Sequence, residues 1–143
     1  MNAIQFIKDH GIDKAREVVE GAPDKTATHY VISKRPHYYS VDFQSYFNNG
    51  DWHDSDYASE QDLANDYEPQ NVIRLNDLKR LVESVDLIES YKGIDEARWY
   101  VKRWFKLHSA CKQVANAKTY ITDQLSALQQ AIADYEAIGG GHV

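Results

Sequence analysis

The chain has 143 residues, of which 43% are hydrophobic, and a formal net charge of -6, which predicts one folded domain with a modest core. No run approaches the ~18 consecutive apolar residues of a membrane-spanning helix, so no contact with a membrane is expected. The single cysteine, Cys111, cannot form an internal disulfide, and the N-terminus lacks the basic-then-apolar pattern of a secretory signal. We therefore expect a cytoplasmic protein.

A hexapeptide occurs twice, as Gly-Ile-Asp-Lys-Ala-Arg at 11–16 and as Gly-Ile-Asp-Glu-Ala-Arg at 93–98. Each copy follows an amphipathic stretch and predicts a helix, a glycine stop and a new helix. In this interpretation the glycine takes the left-handed conformation and the aspartate is the N-cap of the next helix. The first repeat covers residues 1–22 and ends before Pro23, because proline cannot continue a helix.

Residues 28–57 are rich in Tyr, Val and Phe and predict a small antiparallel β meander. Asn49-Gly50 is the clearest turn signal, because this dipeptide accepts the positive φ angles of a tight hairpin. Trp52 then begins the return strand. A sheet of this size needs a helix against its apolar face.

Residues 58–72 are acidic and weakly patterned, which predicts a connector with one helical turn near Gln61 to Asn65. Helical periodicity resumes at Leu75 and reaches the second glycine stop. A heptad seam follows, and residues 139–143 form a tail. The seam positions, all apolar or aromatic except Lys118, are Ala97, Tyr100, Trp104, Leu107, Cys111, Val114, Lys118, Ile121, Leu125, Leu128, Ile132 and Tyr135.

The predicted fold is therefore α+β, mostly helical, within a single domain of residues 1–143. Helical repeat one lies at 1–22, the β meander at 28–57, the acidic connector at 58–72, helical repeat two with the long amphipathic helix at 75–138, and the tail at 139–143.

The length of the seam leaves two alternatives. A continuous helix from Glu96 to Ile138 would be roughly 65 Å long at 1.5 Å per residue, whereas a compact chain of this size has a radius of gyration of about 14 to 15 Å. Either the helix breaks near 109–118 and folds back, or it pairs with a second copy, most simply as a homodimer. The oligomer seam would then consist of Ile121, Leu125, Leu128 and Ile132.

Charge is unevenly distributed along the chain. Residues 36–70 contain eight acids and no Lys or Arg, whereas residues 95–118 have a net charge of +4. Either the two surfaces lie close together and neutralise each other, or one of them meets a charged partner, since patches of one sign steer association.

Candidate chemical sites are weak. Asp51, His53, Asp54 and Asp56 place an imidazole among carboxylates, as in a metal-dependent hydrolase. Strand alternation separates neighbours, however, and no second ligand set follows, so we assign no metal, no cofactor and no catalytic residue. The histidines at 29 and 37 can meet across the sheet but are more typical of packing residues, and Cys111 on the seam is typical of a small buried hydrophobe.

The segment 98–106 interleaves basic and aromatic residues. As a nucleic-acid surface, Arg98, Lys102, Arg103 and Lys106 would neutralise phosphates while the rings stack on unpaired bases. The alternative is a solvated stripe of these cations beside a buried stripe of Tyr100, Trp104 and Leu107. The net charge of -6 argues against sequence-independent nucleic-acid binding.

Several stretches carry a resemblance: His-Gly-Ile-Asp-Lys-Ala-Arg at 10–16, Gly-Ala-Pro at 21–23, Ala-Thr-His-Tyr at 27–30, Leu-Asn-Asp-Leu-Lys-Arg-Leu-Val-Glu-Ser at 75–84, Leu-Ile-Glu-Ser at 87–90 and Ala-Ile-Ala-Asp-Tyr-Glu at 131–136. The chain resembles small accessory proteins of lambdoid temperate phages and enterobacterial prophages over residues 1–30 and 73–98. The resemblance implies a non-structural protein acting in a bacterial cell. That family has no assigned activity, so no functional residue is carried over.

These observations favour a non-enzymatic protein that binds and modulates a host or phage protein. Exposed aromatic and acidic residues on the meander are the candidate partner surface, although alternation puts the tyrosines at 38 and 39 on opposite faces. The candidate residues are Tyr38, Tyr39, Tyr46, Trp52, Asp51, Asp54 and Asp56. A nucleic-acid-associated factor and a small metal-dependent hydrolase are the alternative functions.

Overall fold

The computed structural model describes residues 2–110 and 115–139, with the side chains of 3–110 and 120–139. It confirms an α+β chain in which helices exceed half of the residues and an antiparallel sheet lies between helices in the sequence. The chain divides into two compact units, one extending to Arg80 and the other beginning at Leu81. None of the described helices is both long and apolar enough to cross a bilayer.

The elements follow the hydrophobic pattern of the sequence, with buried residues at helical spacing in α1 and α2 and at alternate positions in β1. The described helices are α1 Asn2–His10, α2 Ile12–Glu20, α3 Glu60–Tyr67, α4 Leu75–Ser90, α5 Ile94–Ala110 and α6 Ala115–Ala137, with a 3-10 turn at Pro69–Asn71. The described strands are β1 His29–Val31, β2 His37–Ser40, β3 Ser45–Asn48, β4 Asp51–Asp54 and β5 Val72–Arg74.

The described strands form one antiparallel sheet in the order β4-β3-β2-β1-β5. Asn49 and Gly50 join β3 to β4, and their φ angles of 51° and 80° are both positive, as a type I′ hairpin requires. Asn48 pairs with Asp51 across this turn. The predicted meander and its tight turn are confirmed.

One face of the sheet is covered by α3, and we call it the α3 face. Val31, Tyr39 and Val72 lie on this face and pack with the buried Leu63 of α3. The strand register places Tyr39 opposite Tyr46 of β3, so both rings lie on the α3 face.

The first two helices cover the opposite face. Phe6 of α1 contacts the ring of Tyr30 edge-on, with centroids 6.4 Å apart. Tyr38 lies on the same face, and its hydroxyl donates a hydrogen bond to the backbone carbonyl of Val18 in α2 at 2.6 Å. The sheet therefore lies between α3 on one face and α1 and α2 on the other, and these helices give so small a sheet the support that it needs.

Residues 58–72 are not the connector that the sequence predicts. α3 fills most of the segment, with Ser59 as its N-cap, and the Ser59 hydroxyl accepts the backbone N–H of Asp62 at 3.2 Å. β5 then pairs antiparallel with β1, so β structure is not confined to 28–57. A strand of three residues carries too little alternation to be recognised, and its pairing with a distant strand decides its conformation.

Both glycine stops are present, but the aspartates do not cap the helices as predicted. Gly11 (φ 90°, ψ 161°) is itself the N-cap of α2, and Asp13 lies in the first turn, where the partial positive charge of the helix N-terminus favours a carboxylate. At the second stop Lys92 already has a positive φ of 66°, and Gly93 follows at 118°. The Gly93 N–H donates to the carbonyl of Ile88 at 3.1 Å and closes the turn.

The heptad seam is divided between α5 and α6, which pack against each other as an antiparallel hairpin. The Arg98–Glu136 ion pair lies toward one end, and a ring contact between Trp104 and Tyr120, with centroids 6.2 Å apart, lies further along. The helix therefore folds back, which was one of the two predicted alternatives. The side chains of the seam positions 111, 114 and 118 lie outside the described residues.

The residues predicted as an oligomer seam are covered within the chain. Ile121, Leu125 and Leu128 are buried, and Leu128 packs in a cluster against which Ile132 lies partly buried. The uncovered overhang that motivated a homodimer is therefore absent from the hairpin. Homodimer formation stays a prediction and would need a different surface.

A buried polar contact links α4 to α6. The hydroxyl of Ser84 donates to the carboxylate of Asp134 at 2.7 Å, and the side-chain amide of Gln130 donates to the other oxygen at 3.0 Å. Because Asp134 is buried, these bonds replace the water that its carboxylate would otherwise keep.

Candidate functional site

The α3 face contains a cleft of about 350 Å³, and half of the residues that line it are aromatic. We call it the aromatic cleft. Arg35, on the loop before β2, lines it as well. The aromatic walls come from β2, β3, the loop after β4 and the last residue of α3, and they are His37, Tyr39, Tyr46, Tyr57 and Tyr67.

Hydrogen bonds and ring contacts hold these walls in place. The Tyr39 hydroxyl donates to the backbone carbonyl of Tyr57 at 2.5 Å, and the Tyr57 hydroxyl donates to the Asp66 carboxylate at 2.5 Å. The His37 ring meets Tyr67 and Tyr46 edge-on, with centroids 5.7 and 6.1 Å away. The bond to Asp66, helped by desolvation, raises the pKa of Tyr57, so this hydroxyl remains a donor at neutral pH.

A second cavity, of about 410 Å³, adjoins the first. Asp54, Asp56 and Asp66 line it, and we call it the carboxylate basin. It shares Ser55 and Tyr57 with the aromatic cleft. The three carboxylates are exposed, and residues 36–70 contain no Lys or Arg. An aromatic surface and a negative potential therefore meet at Ser55 and Tyr57, an arrangement that attracts cations.

The residues predicted as a partner surface do not lie on one surface. Tyr39 is 1% exposed and belongs to the core. Tyr38 and Trp52 lie on the opposite face, where the Trp52 Nε1 donates to the Asp24 carboxylate at 3.1 Å. Tyr46 is the partly exposed aromatic of the predicted set that lines the aromatic cleft.

The acidic members of the predicted set also separate. Asp54 and Asp56 line the carboxylate basin, whereas Asp51 lines neither cavity. Phe43, in the turn between β2 and β3, is 66% exposed and was not predicted as a contact residue. Its position beside Asp42 in a turn is the sequence signal that could have identified it.

The weak metal candidates are not assembled into a site. The His53 ring stacks on Tyr46 with centroids 5.3 Å apart, and its Nε2 lies 3.1 Å from the backbone carbonyl of Asn48. Among the residues that the structure describes, no three His, Cys, Asp or Glu side chains are grouped so that they could hold a metal ion. The hydrolase hypothesis therefore has no geometric support in that part of the chain.

His29 does not pair with His37. Its Nε2 lies 2.9 Å from the carboxylate of Glu60 in α3, and Glu60 also accepts two hydrogen bonds from the Arg74 guanidinium. The Arg74 hydrogen bond above all, with that of His29, outweighs desolvation and lowers the pKa of Glu60 to about 2. Sequence could not reveal this contact, because its members come from three separate elements.

A hydroxyl, an imidazole and a carboxylate thus lie in the order of a hydrolase triad, since Thr28 Oγ1 is 2.8 Å from His29 Nδ1. The hydroxyl is already engaged, however. It accepts the backbone N–H of Val41 at 3.0 Å and lies 3.2 Å from the carbonyl of Tyr39. These bonds tie Thr28 to β2 and to the residue that follows it, and the His29–Glu60 contact joins the sheet to α3, so the arrangement indicates a structural clamp.

The basic aromatic segment lies on α5, and its cations are exposed. Trp99 and Phe105 are 51% and 50% exposed, and the Arg103 guanidinium carbon lies 5.5 Å from the Trp99 ring centroid. Leu107, which we expected to be buried, is 42% exposed. The alternative of a solvated stripe beside a buried one is therefore wrong at Leu107, whereas Tyr100 and Trp104 are partly buried.

Two surfaces thus carry binding chemistry: the aromatic cleft with its carboxylate basin, and the exposed basic aromatic side of α5. No protein-family model matches the chain, and no curated protein or solved structure is similar enough to it to count as a match.

Proposed function

We propose that the protein binds a basic segment of another protein through the aromatic cleft and the carboxylate basin, without catalysing a reaction. The adjacency of the two cavities, which share Ser55 and Tyr57 as lining residues, carries this proposal. Rigid aromatic walls supply contact area at low entropic cost, and neighbouring carboxylates steer a basic partner to them. The partly exposed Tyr46 and Tyr67 rings are the expected anchors.

The proposed setting is the cytoplasm of a bacterium, where the chain would act as an accessory protein of a temperate phage or prophage and modulate a host or phage protein. The resemblance of residues 1–30 and 73–98 to such accessory proteins supports this setting. Modulation by binding also fits a site whose acidic groups make hydrogen bonds within the fold, as Asp66 does with Tyr57.

Capture from nuclease-treated bacterial lysate tests the proposal when two matched variants are compared with the wild type. Asp54→Asn with Asp56→Asn removes two charges from the basin. Asp42→Asn with Asp51→Asn removes the same charge from exposed positions that line neither cavity. We expect proteins that the wild type and the second variant retain and the first variant loses.

The kinetics of a captured protein provide a second readout. Its association rate with the wild type should fall as salt rises, because surface charges are screened over ~10 Å at 0.1 M ionic strength. Equal capture by both charge variants, or recovery of nucleic acid alone when nuclease is omitted, would contradict the proposal.

A nucleic-acid-binding surface on α5 is the second candidate. The exposed Trp99 and Phe105 beside Lys102, Arg103 and Lys106 favour it, because stacking requires accessible rings. An oligo-dT strand should quench tryptophan fluorescence, and Lys102→Gln with Lys106→Gln should reduce the slope of log K against log salt by about 1.4, or ~0.7 per lost phosphate contact. Binding that is insensitive to both substitutions would eliminate this candidate.

A further inference from the structure

The shape of the aromatic cleft limits what can occupy it. Its volume of about 350 Å³ lies at the low end of the ~300–1,000 Å³ typical of ligand pockets, which suits one long side chain rather than a helix or strand. The Tyr39–Tyr57 and Tyr57–Asp66 hydrogen bonds fix the walls before any ligand arrives. The occupant is therefore a slender group that contacts ring surfaces along its length.

The charges around the cleft limit the head group of that occupant. Arg35 lines the cleft, so a second cation is repelled from its neighbourhood. Ser55 and Tyr57 also line the neighbouring basin, whose other lining residues are Asp54, Asp56 and Asp66. A positively charged head group is favoured at this end, where it leaves the aromatic walls and meets the acids.

Among cationic side chains, arginine suits both the aromatic walls of the cleft and the carboxylates of the basin best. Its planar guanidinium stacks on aromatic faces, is more weakly hydrated than an ammonium, and forms forked hydrogen bonds with carboxylates. A lysine ammonium is compact and strongly hydrated, so it gains less from ring walls.

We infer that the aromatic cleft binds a single arginine side chain of the partner protein, with its guanidinium at the Ser55–Tyr57 end against the carboxylate basin. This inference rests on the proposed function and specifies its recognition element. The partner's arginine inserts into the cleft, and its other basic residues lie along the acidic rim.

Three short peptides test the inference on the full-length chain. They are N-acetyl-Gly-Arg-Gly-amide, the same peptide with citrulline, which keeps the shape without the charge, and the same peptide with lysine. The readout is the two-dimensional 15N–1H NMR spectrum. With arginine we expect saturable shifts at the amides of Ser55, Tyr57 and Tyr67, with at least tenfold weaker binding of citrulline and severalfold weaker binding of lysine.

Substitutions in each half of the site should weaken arginine binding separately. Tyr67→Leu removes a ring but keeps apolar bulk, and Asp54→Asn with Asp56→Asn removes charge. Each should weaken arginine binding at least threefold. Asp42→Asn with Asp51→Asn should leave the affinity unchanged. If Tyr67→Leu perturbs the whole spectrum, the two charge pairs still decide the result.

The outcomes separate this inference from the proposed function. Citrulline binding as tightly as arginine, or shifts elsewhere than at the cleft, would overturn the arginine site. A captured partner that binds the Tyr67→Leu variant normally, together with no arginine binding by the wild type, would overturn the arginine site and leave protein binding intact. Arginine binding as described, with no protein captured, would support the site and count against the proposed function.

Discussion

The sheet and the α5–α6 hairpin use their aromatic residues in opposite ways. In the sheet, Tyr38 and Tyr39 are fixed by hydrogen bonds from their hydroxyl groups. On the hairpin, Trp99, Phe105 and Tyr120 are half or more exposed, while aliphatic side chains such as Leu128 form the buried seam. Aromatic content alone therefore does not indicate where the core of this chain lies.

This contrast teaches that the two regions gain stability from different sources. Aliphatic burial is non-directional and roughly proportional to area, so the hairpin depends on a continuous apolar seam. The sheet adds directional bonds that orient each ring, and each such bond contributes only about 1 kcal/mol net. Charge in the seam should consequently be far more harmful than loss of any single polar bond in the sheet.

The largest effect is expected from Leu125→Asp combined with Leu128→Asp. Both leucines are buried, and uncompensated carboxylates in their place should lower the free energy of unfolding by at least about 4 kcal/mol. Urea unfolding followed by circular dichroism at 222 nm measures this loss. Ser126→Asp with Gln129→Asp adds the same charge at exposed positions of α6, and an equal loss there would show that the seam is not the core.

Two neighbouring substitutions at the second glycine stop should change the free energy of unfolding in opposite directions. Gly93→Ala should cost about 1–2 kcal/mol, because φ is 118° and an added Cβ would meet nothing within 4 Å, so the penalty is conformational. Lys92→Gly should instead stabilise by up to about 1 kcal/mol, since Lys92 has a φ of 66°. Thermal unfolding distinguishes them, and a shift of the same sign for both would contradict the geometry of this stop.

In the sheet, Tyr38→Phe should cost about 1 kcal/mol, because the Val18 carbonyl loses its 2.6 Å hydrogen bond. Desolvation raises the pKa of Tyr38 to about 12, so the folded state holds this proton more tightly than the unfolded state. Its contribution is present below pH 10 and is lost as the pH rises through 12. Because the pKa values of Tyr39 and Tyr57 are raised as well, absorbance at 295 nm should show one fewer late-titrating tyrosine in the variant than in the wild type.

The smallest expected effect is the acid response of Glu60, because its side chain is 39% exposed and water screens its charge. Its pKa is lowered to about 2, so the contribution is present above pH 4.5 and is lost as the pH falls toward 2. Glu60→Gln should flatten the dependence of the unfolding free energy on pH in this interval. If the variant and the wild type lose unfolding free energy equally between pH 4.5 and 2, the contact of Glu60 with Arg74 and His29 adds no stability.

Local signals predicted those parts of the fold that depend on neighbours in sequence. The Asn49-Gly50 turn, the meander and the glycine stops all belong to this class. The N-cap of α3 could also have been predicted from the sequence, because Ser59 and Asp62 have the spacing of a capping box. β5 could not have been predicted in this way, because a strand of three residues has almost no alternation and its conformation depends on pairing with β1.

The candidate site was also harder to predict from the sequence, because it depends on contacts between distant segments. Acidic composition identified Asp54 and Asp56, and alternation correctly separated Tyr38 from Tyr39. Tyr57 and Tyr67 were missed because they lie in a loop and at a helix end, and only tertiary packing brings them to the cleft. Contacts between distant elements fix a site of this kind, and they leave no regular spacing in the chain.

The order of the strands places β4 at one margin of the sheet, where none of the described strands lies beside its outer backbone groups. Exposed margins of this kind invite pairing between copies and fibrous aggregation. β4 has four residues, begins with Asp51 and ends with Asp54, and both carboxylates are exposed. Two copies that approached strand to strand would bring these like charges together, so we expect the carboxylates to hinder aggregation along this margin.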